Sequence, residues 1–293
     1  MRDFTLDIYR TLLESLQKQG YELISYGDYM KTPPVSGWSD APRCSCRSNC
    51  QAEAVFHPSR EERKFVILRH DVDAKPENSL KTAQIEHSLG AKASYYFRTG
   101  ESGCYRGSAL SLPESVRAIA QLGHEIGYHY EDMSLCGGDF EKAYGHFQTW
   151  LDYFRQYYAV ETVCMHGAPT SKWDSKDLWR RYDYKSLGLI GEPYMDTDFS
   201  DVFYLTDTGR CWDGYKVSVR DKIEGYQDQW TARGLVWHTT EQLIRAIENG
   251  QLPPHVMITT HPQRWTNSRL AWWKEMISQH IKNIIKRIII HKK

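Results

Sequence analysis

The feature that most constrains this chain is an alternation that begins at Lys64. Short apolar runs at Phe65–Leu68, Ala93–Phe97, Glu125–Tyr128, Thr162–Met165, Val202–Leu205 and Val256–Thr259 read as strands. Helices are predicted between them, from Pro76 to Leu89, Pro113 to Leu122, Asp139 to Tyr158, Ser175 to Arg181 and from Thr239 onward, with Gly90, Gly123 and Gly250 placed to end three of them. Thr239 and Gln242 have the spacing of a capping box. Strands that alternate with helices imply a parallel sheet covered by helices, hence an α/β fold. At least six such strands suit a (β/α) barrel, complete or distorted, with an open doubly wound sheet as the alternative.

The flanks read differently. Asp3 to Gln19 is predicted to be a helix, because Phe4, Ile8, Leu12 and Leu16 recur every fourth residue and Gly20 follows. Residues 31–60 hold Pro33, Pro34, Pro42 and Pro58 with Cys44, Cys46 and Cys50, show no period, and read as an irregular insertion. Arg269 to the end is mostly helical. The chain therefore divides into an N-terminal helix and insertion (1–63), a barrel (64–265) and a basic C-terminal helix (266–293).

Lys plus Arg number 37 and Asp plus Glu also number 37, a balance that argues against a nucleic-acid partner. Neither GxGxxG nor GxxxxGK occurs, which disfavours a nucleotide enzyme. No segment approaches the ~20 apolar residues of a membrane span. The N-terminal stretch carries acidic residues and no apolar core of a secretory signal, so a cytoplasmic location with reduced thiols is expected. Aromatic residues make up 13%, enough to fill a core and also to line a site for a sugar.

Reactive residues follow the predicted strands. Arg69, His70, Asp71 and Asp73 follow the first, His129 with Glu131 and Asp132 a later one, and His166, Asp207 and His261 three more. In parallel α/β folds the C-terminal strand ends converge on one face, and that face carries the active site. Taken singly, a His there is more often structural, and Asp71 or Asp73 would serve as a helix cap before Pro76. Taken together they read as one metal or acid/base site, because a carboxylate with two or three His is the ligand set of a catalytic metal site.

The stretches LRHDVD (68–73), LGHEIGYHYED (122–132), MHGAP (165–169), LTDTGRCW (205–212) and MITTHPQRW (257–265) resemble, in order, the motifs of the polysaccharide deacetylase (NodB-homology, carbohydrate esterase family 4) superfamily. The closest likeness is to its HDVD-type branch, associated with bacterial surface-polysaccharide clusters. The resemblance implies a distorted (β/α) barrel of about seven parallel strands and metal-dependent removal of an acetyl group from a sugar. It implies a divalent transition metal, zinc first, and a carbohydrate substrate. Asp71 is assigned as general base and Asp73 as metal ligand, the reverse assignment remaining open. His129 matches the family's metal His. Met133 stands where a second His is usual, so His166 is the expected third ligand, with Glu131 and Asp132 in reserve. His261 matches the general acid. Asp207 with Trp212 resembles the motif that braces and walls the site, and these two with Arg69 are the expected substrate contacts. The rivals are a hydrolase of the same fold cutting a C–N bond other than an acetamide, and an inactive glycan-binding barrel.

Two further signals stand outside this scheme. Cys44, Cys46 and Cys50 read as reduced thiols, since a metal centre would need a fourth ligand such as His57 or Cys104. The last 30 residues carry eight Lys or Arg and one acidic residue. Ile277, Ile281, Ile284, Ile285 and Ile288 share a helical face there. The plainer reading packs that face on the barrel; the other lays it against an anionic membrane as a peripheral contact.

Overall fold

A computed structural model of the chain describes residues 2–32, 63–103, 105–168, 171–214 and 222–290, with the side chains of residues 102 and 285–290 left out of the description. Among the described residues seven strands form one sheet: β1 (Glu22–Ile24), β2 (Phe65–Val72), β3 (Ser94–Phe97), β4 (Glu125–Tyr130), β5 (Val163–Met165), β6 (Phe203–Thr206) and β7 (His255–Thr260). Every pairing is parallel, in the order β5-β4-β3-β2-β7-β6. β1 pairs with Phe65–Ile67 at the start of β2, and β3 pairs with Arg69–Val72 at its end. The sheet curls into a half-barrel with helices around it. Among the described residues β5 and β6 do not pair. The segment Leu189–Asp196 spans that side, through Ile190 N to Glu161 O (2.8 Å) and a contact between the Tyr194 and Tyr204 hydroxyls (3.3 Å).

Six of the described α-helices begin where a side chain satisfies one of their first N–H groups. In α1 (Leu6–Lys18) the Thr5 hydroxyl accepts from Ile8 N, and Ile8, Leu12, Leu13 and Leu16 are buried. α2 (Tyr26–Lys31) opens on a Ser25–Asp28 capping box. In α3 (Pro76–Ser88) the cap position is Lys75, which makes no side-chain cap bond, so Asp71 and Asp73 are not helix caps. α4 (Leu112–Gln121) starts on a Ser111–Glu114 capping box. The short α5 (Asp132–Leu135) precedes α6 (Phe140–Arg155), which Asp139 caps. α7 (Pro193–Asp196) and α8 (Gln227–Ala232) are short, and α9 (Thr240–Glu248) has the expected Thr239–Gln242 box. The stretch Ser175–Arg180 is a 3-10 turn rather than an α-helix. α10 (Arg269–Ile290) ends the described chain. The first helix and β1 belong to the same body as the barrel strands, since α1 packs on α3 and α9. The Cys44, Cys46 and Cys50 group lies outside the described residues, as do Cys104 and Pro169.

Two expectations change. β2 does not stop at Leu68 but runs to Val72, so Arg69, His70 and Asp71 lie within it, as His129 lies within β4. These polar residues stay in the ladder because all are buried and find side-chain partners on the faces of the sheet. His70, turned outward, meets Thr260 Oγ1 (2.6 Å) and Glu86 Oε1 (2.6 Å). The described isoleucine side chains of the α10 stripe do not pack on the barrel. Ile277, Ile281 and Ile284 are 53%, 53% and 46% exposed, because the side of α10 turned to the body carries Trp272, Met276, Gln279 and Asn283 instead.

The aromatic residues go mainly to the core. Tyr95, Tyr96, Tyr128 and Tyr130 are all fully buried on neighbouring strands, and Phe147, Phe154 and Trp179 pack against the last two. Burial raises the pKa of each of these four tyrosines. Trp265, also fully buried, packs on Phe4 and Tyr9.

Candidate active site

Alternation along β2 points Arg69 and Asp71 into the half-barrel and His70 away from it. The chain then turns tightly, Asp73 N donating to Asp71 O (3.0 Å), which keeps both carboxylates on one side. β4 brings His129 to the same place. His166 follows β5 directly and is tied to β4 through its N–H to Tyr130 O (2.7 Å). His261 follows β7. Five residues spread over nearly 200 positions thus meet at the C-terminal ends of parallel strands.

Asp73 is the centre of the group. Its Oδ1 lies 3.7 Å from His129 Nε2 and 3.6 Å from His166 Nε2, and its Oδ2 lies 3.8 Å from His261 Nε2. Ligand atoms of Asp73, His129 and His166 all fall within 4.8 Å of one another. These separations exceed direct hydrogen bonds. Ligands held tetrahedrally about 2.1 Å from one ion stand about 3.4 Å apart. Two further observations fit a bound cation. Asp73 Oδ1 is buried without a hydrogen-bond partner. Both histidines are oriented through their other nitrogen: His129 Nδ1 donates to the Cys164 carbonyl (2.9 Å), and His166 Nδ1 to Glu131 Oε2 (2.8 Å). A carbonyl or carboxylate can only accept, so each Nδ1 carries a proton and Nε2 is the nitrogen whose lone pair is available when the ring is neutral.

Electrostatics agree with that polarity. Burial opposes charge on Asp73, but His166, His261, His129 and Arg98 outweigh it and hold its carboxyl well below the usual range. Burial likewise opposes charge on Glu131, yet His166 and Arg98, which donates to it, keep its carboxyl at about 2. Burial lowers the pKa of His129, which favours the neutral ligand form.

Asp71 has a different setting. Its Oδ2 accepts from Arg69 Nη2 (3.2 Å) and lies 3.9 Å from His129 Nε2, while its Oδ1 is buried without a partner. One oxygen is thus paired with Arg69, and the other has no hydrogen-bond partner. On the opposite side His261 Nδ1 donates to Asp207 Oδ1 (2.6 Å). Asp207 is fully buried and also accepts from His261 N (3.0 Å), Arg264 Nη1 (2.7 Å) and Trp265 Nε1 (2.8 Å). Burial and Arg264 push the His261 pKa down, but Asp207 and Asp73 outweigh them and raise it, favouring the imidazolium.

The residues expected to touch substrate are placed otherwise. Arg69 is fully buried, donates to the Tyr194 hydroxyl (2.8 Å) and stacks its guanidinium over that ring. Asp207 supports His261 from within the core. Trp212 is 3% exposed, and its indole N–H goes to Thr240 Oγ1 (3.0 Å). All three are buried, and each has a polar atom held by a neighbour within the body. The partly open side chains are Asp73 and His166, at 22% and 19%. Of the reserve ligands, Glu131 orients His166, and Asp132 turns away to His146 and Tyr128. Met133 is buried in the core. Arg98, Arg264 and Tyr194 were not singled out from sequence. Arg264 stands three residues after His261 on the 3-10 turn Pro262–Arg264, a spacing that could have suggested it.

No protein-family model matches this chain, and no curated protein matches it. Among solved structures the chain is similar to BA3943, described as a CE4 family pseudoenzyme from Bacillus anthracis, with a TM-score of 0.39, 12% identity, and 75% of this chain and 62% of that one covered. It is also similar to a mutant of that protein described as having restored enzymatic activity, with a TM-score of 0.40, 11% identity, and 75% and 64% covered. The chain thus spans less than two thirds of the length of either structure.

Proposed function

We propose that this protein is a metal-dependent hydrolase that removes an acyl group, acetyl first, from a sugar of a surface glycan or its precursor, within the HDVD-type branch of the polysaccharide deacetylases. The observation that supports this reading is the partnerless Asp73 Oδ1 facing two imidazole Nε2 atoms, each ring oriented through Nδ1 by a second partner. Asp73, His129 and His166 would hold a divalent ion, with zinc suited to a set of one oxygen and two nitrogens. When bound, such an ion supplies Lewis acidity toward an acyl oxygen and lowers the pKa of water.

The chain's own residues supply the proton transfers. Asp71, held by Arg69, takes the proton of the attacking water at its partnerless Oδ1. His261 carries a proton on Nε2 toward the leaving amine or alcohol, while Asp207 accepts from Nδ1 and balances the imidazolium charge. Asp207 is in turn fixed by Arg264 and Trp265, so the imidazole does not have to be oriented at each turnover.

The test is elemental analysis beside turnover of acetylated sugars. Wild type should hold about one zinc or cobalt per chain, and His129→Ala should hold none. Asp71→Asn and His261→Ala should keep the metal and lose about 10²–10⁴ in rate, the usual worth of a proton-transfer residue. Loss of metal in Asp71→Asn would exchange the two Asp roles. Full turnover in chelator would favour the rival C–N hydrolase. A loaded protein that binds glycan without turnover would favour the inactive barrel.

A further inference from the structure

Seven large apolar side chains are exposed among the described residues, and five of them lie on α10: Leu270 (67%), Trp273 (52%), Ile277 (53%), Ile281 (53%) and Ile284 (46%). Their spacing of three, four, four and three residues places them on one stripe of a helix. At 1.5 Å per residue the stripe runs for about 21 Å. It is not the loose side of a fraying end. The other side of the helix is fastened to the body: Trp272 Nε1 donates to Asp3 O (2.6 Å), Asn283 Nδ2 donates to Gly209 O (3.0 Å), and Gln279 is 4% exposed. The protein therefore holds an apolar surface outward on a fixed support.

The charge beside that stripe identifies what it fits. Arg269, Lys274, His280 and Lys282 are exposed along it. The helix has a single acidic residue, Glu275, and that one is paired with Lys75 (3.4 Å). Lys286, Arg287, Lys292 and Lys293 follow in the sequence. We propose that this side of α10 docks on an anionic lipid bilayer, with the apolar stripe at the boundary between headgroups and acyl chains and the cations against the headgroups. A second copy of the chain fits less well, because helices paired through these stripes would bring like charges together at their flanks, where paired helices usually place opposite ones. The helix lies on the bilayer rather than across it, since no helix among the described residues is long and apolar enough to span one.

The experiment is co-sedimentation of the full chain with vesicles of phosphatidylcholine, alone and mixed with phosphatidylglycerol. Wild type should bind the mixed vesicles at least about tenfold more tightly than the neutral ones, and added salt should weaken that binding. Ile277→Glu with Ile281→Glu should abolish binding to both. Lys274→Glu with Lys282→Glu should remove the preference for the anionic vesicles. All four side chains are exposed, so an unchanged thermal midpoint should accompany each loss. Sedimentation velocity without lipid tests the rival occupant. A wild-type dimer that Ile277→Glu with Ile281→Glu separates, together with absence of vesicle binding, would overturn the proposal. So would a wild-type monomer that binds neither vesicle, or equal binding to both.

Discussion

Replacing Glu131 with alanine isolates the hold on His166, the proposed ligand with the most open side chain. The contact from His166 Nδ1 to Glu131 Oε2 is 2.8 Å, and the carboxylate is kept ionised by His166 and Arg98. A hydrogen bond to a charged group is worth about 1.5–3 kcal/mol. The His166 side chain is 19% exposed, so water can replace part of the lost acceptor. That puts the loss in the lower part of the range, about 1.5–2 kcal/mol, or roughly 10- to 30-fold in metal affinity. Arg98 loses a carboxylate partner at the same time and adds positive charge beside the ion, which acts in the same direction. His129 has no equivalent weak point, because its orienting partner is a backbone carbonyl. The assay is competition for zinc against a chromophoric chelator, for wild type, Glu131→Ala, Glu131→Gln and His166→Ala. Glu131→Gln keeps an acceptor and should fall between wild type and alanine, and His166→Ala should be weakest. Wild-type affinity in Glu131→Ala alongside a large loss in His166→Ala would refute the argument from orientation. Wild-type affinity in both would remove His166 from the site.

Three further outcomes concern stability. Glu86 is fully buried and accepts from Tyr9, Tyr95 and His70, so Glu86→Gln should cost about 3–5 kcal/mol, read as a lower urea midpoint. A Cβ at Gly127 would lie 2.3 Å from the Tyr96 ring and 2.8 Å from Thr162 O, and Tyr96 is itself held by Thr162 (2.8 Å). Gly127→Ala should therefore destabilise by about 1–3 kcal/mol through overpacking, measured as a fall in thermal midpoint. The hydrogen bond to Asp132, opposed by partial burial, raises the His146 pKa to about 9. Because the folded value exceeds the unfolded one, that contribution is complete below about pH 6.5 and disappears as pH rises through about 9. Solvent screening of this partly exposed pair reduces it to about 1 kcal/mol, and in His146→Phe the decline in urea midpoint over that interval should flatten.

The alternation of apolar runs and helices was enough to read six of the seven strands and the face on which the reactive residues gather. β1 was missed because Glu22–Ile24 is three residues long, too short to establish a period, and it owes its strand state to pairing with β2. The end of β2 was misplaced for a related reason. Arg69, His70 and Asp71 look like the exit from a strand, and only tertiary partners on both faces let them remain in it. Asp71, Asp73, His129, His166 and His261 were legible as a set because each stands at or near a strand end. Their supports were less so. Glu131, Arg98 and Arg264 act through contacts fixed by the curl of the sheet, which local sequence does not encode. Arg69 and Trp212 were read as facing substrate because the sequence gives their type and not their direction. The isoleucine stripe of α10 failed in the opposite sense, since a helical period reveals an apolar face without telling whether anything covers it.

β2 carries a consequence of its own. A strand buried on both faces usually has little to fix its register, since one apolar residue can replace another. Here the two faces hold incompatible polar sets. Arg69 and Asp71 face Tyr194 and His129, while His70 faces Glu86 and Thr260. Sliding the strand by a single residue would send Asp71 toward Glu86 and His70 into the half-barrel, leaving two buried carboxylates on one face and Glu86 without the imidazole that pairs with it. The polar residues that the proposed site draws on therefore also fix the register of the strand that presents them.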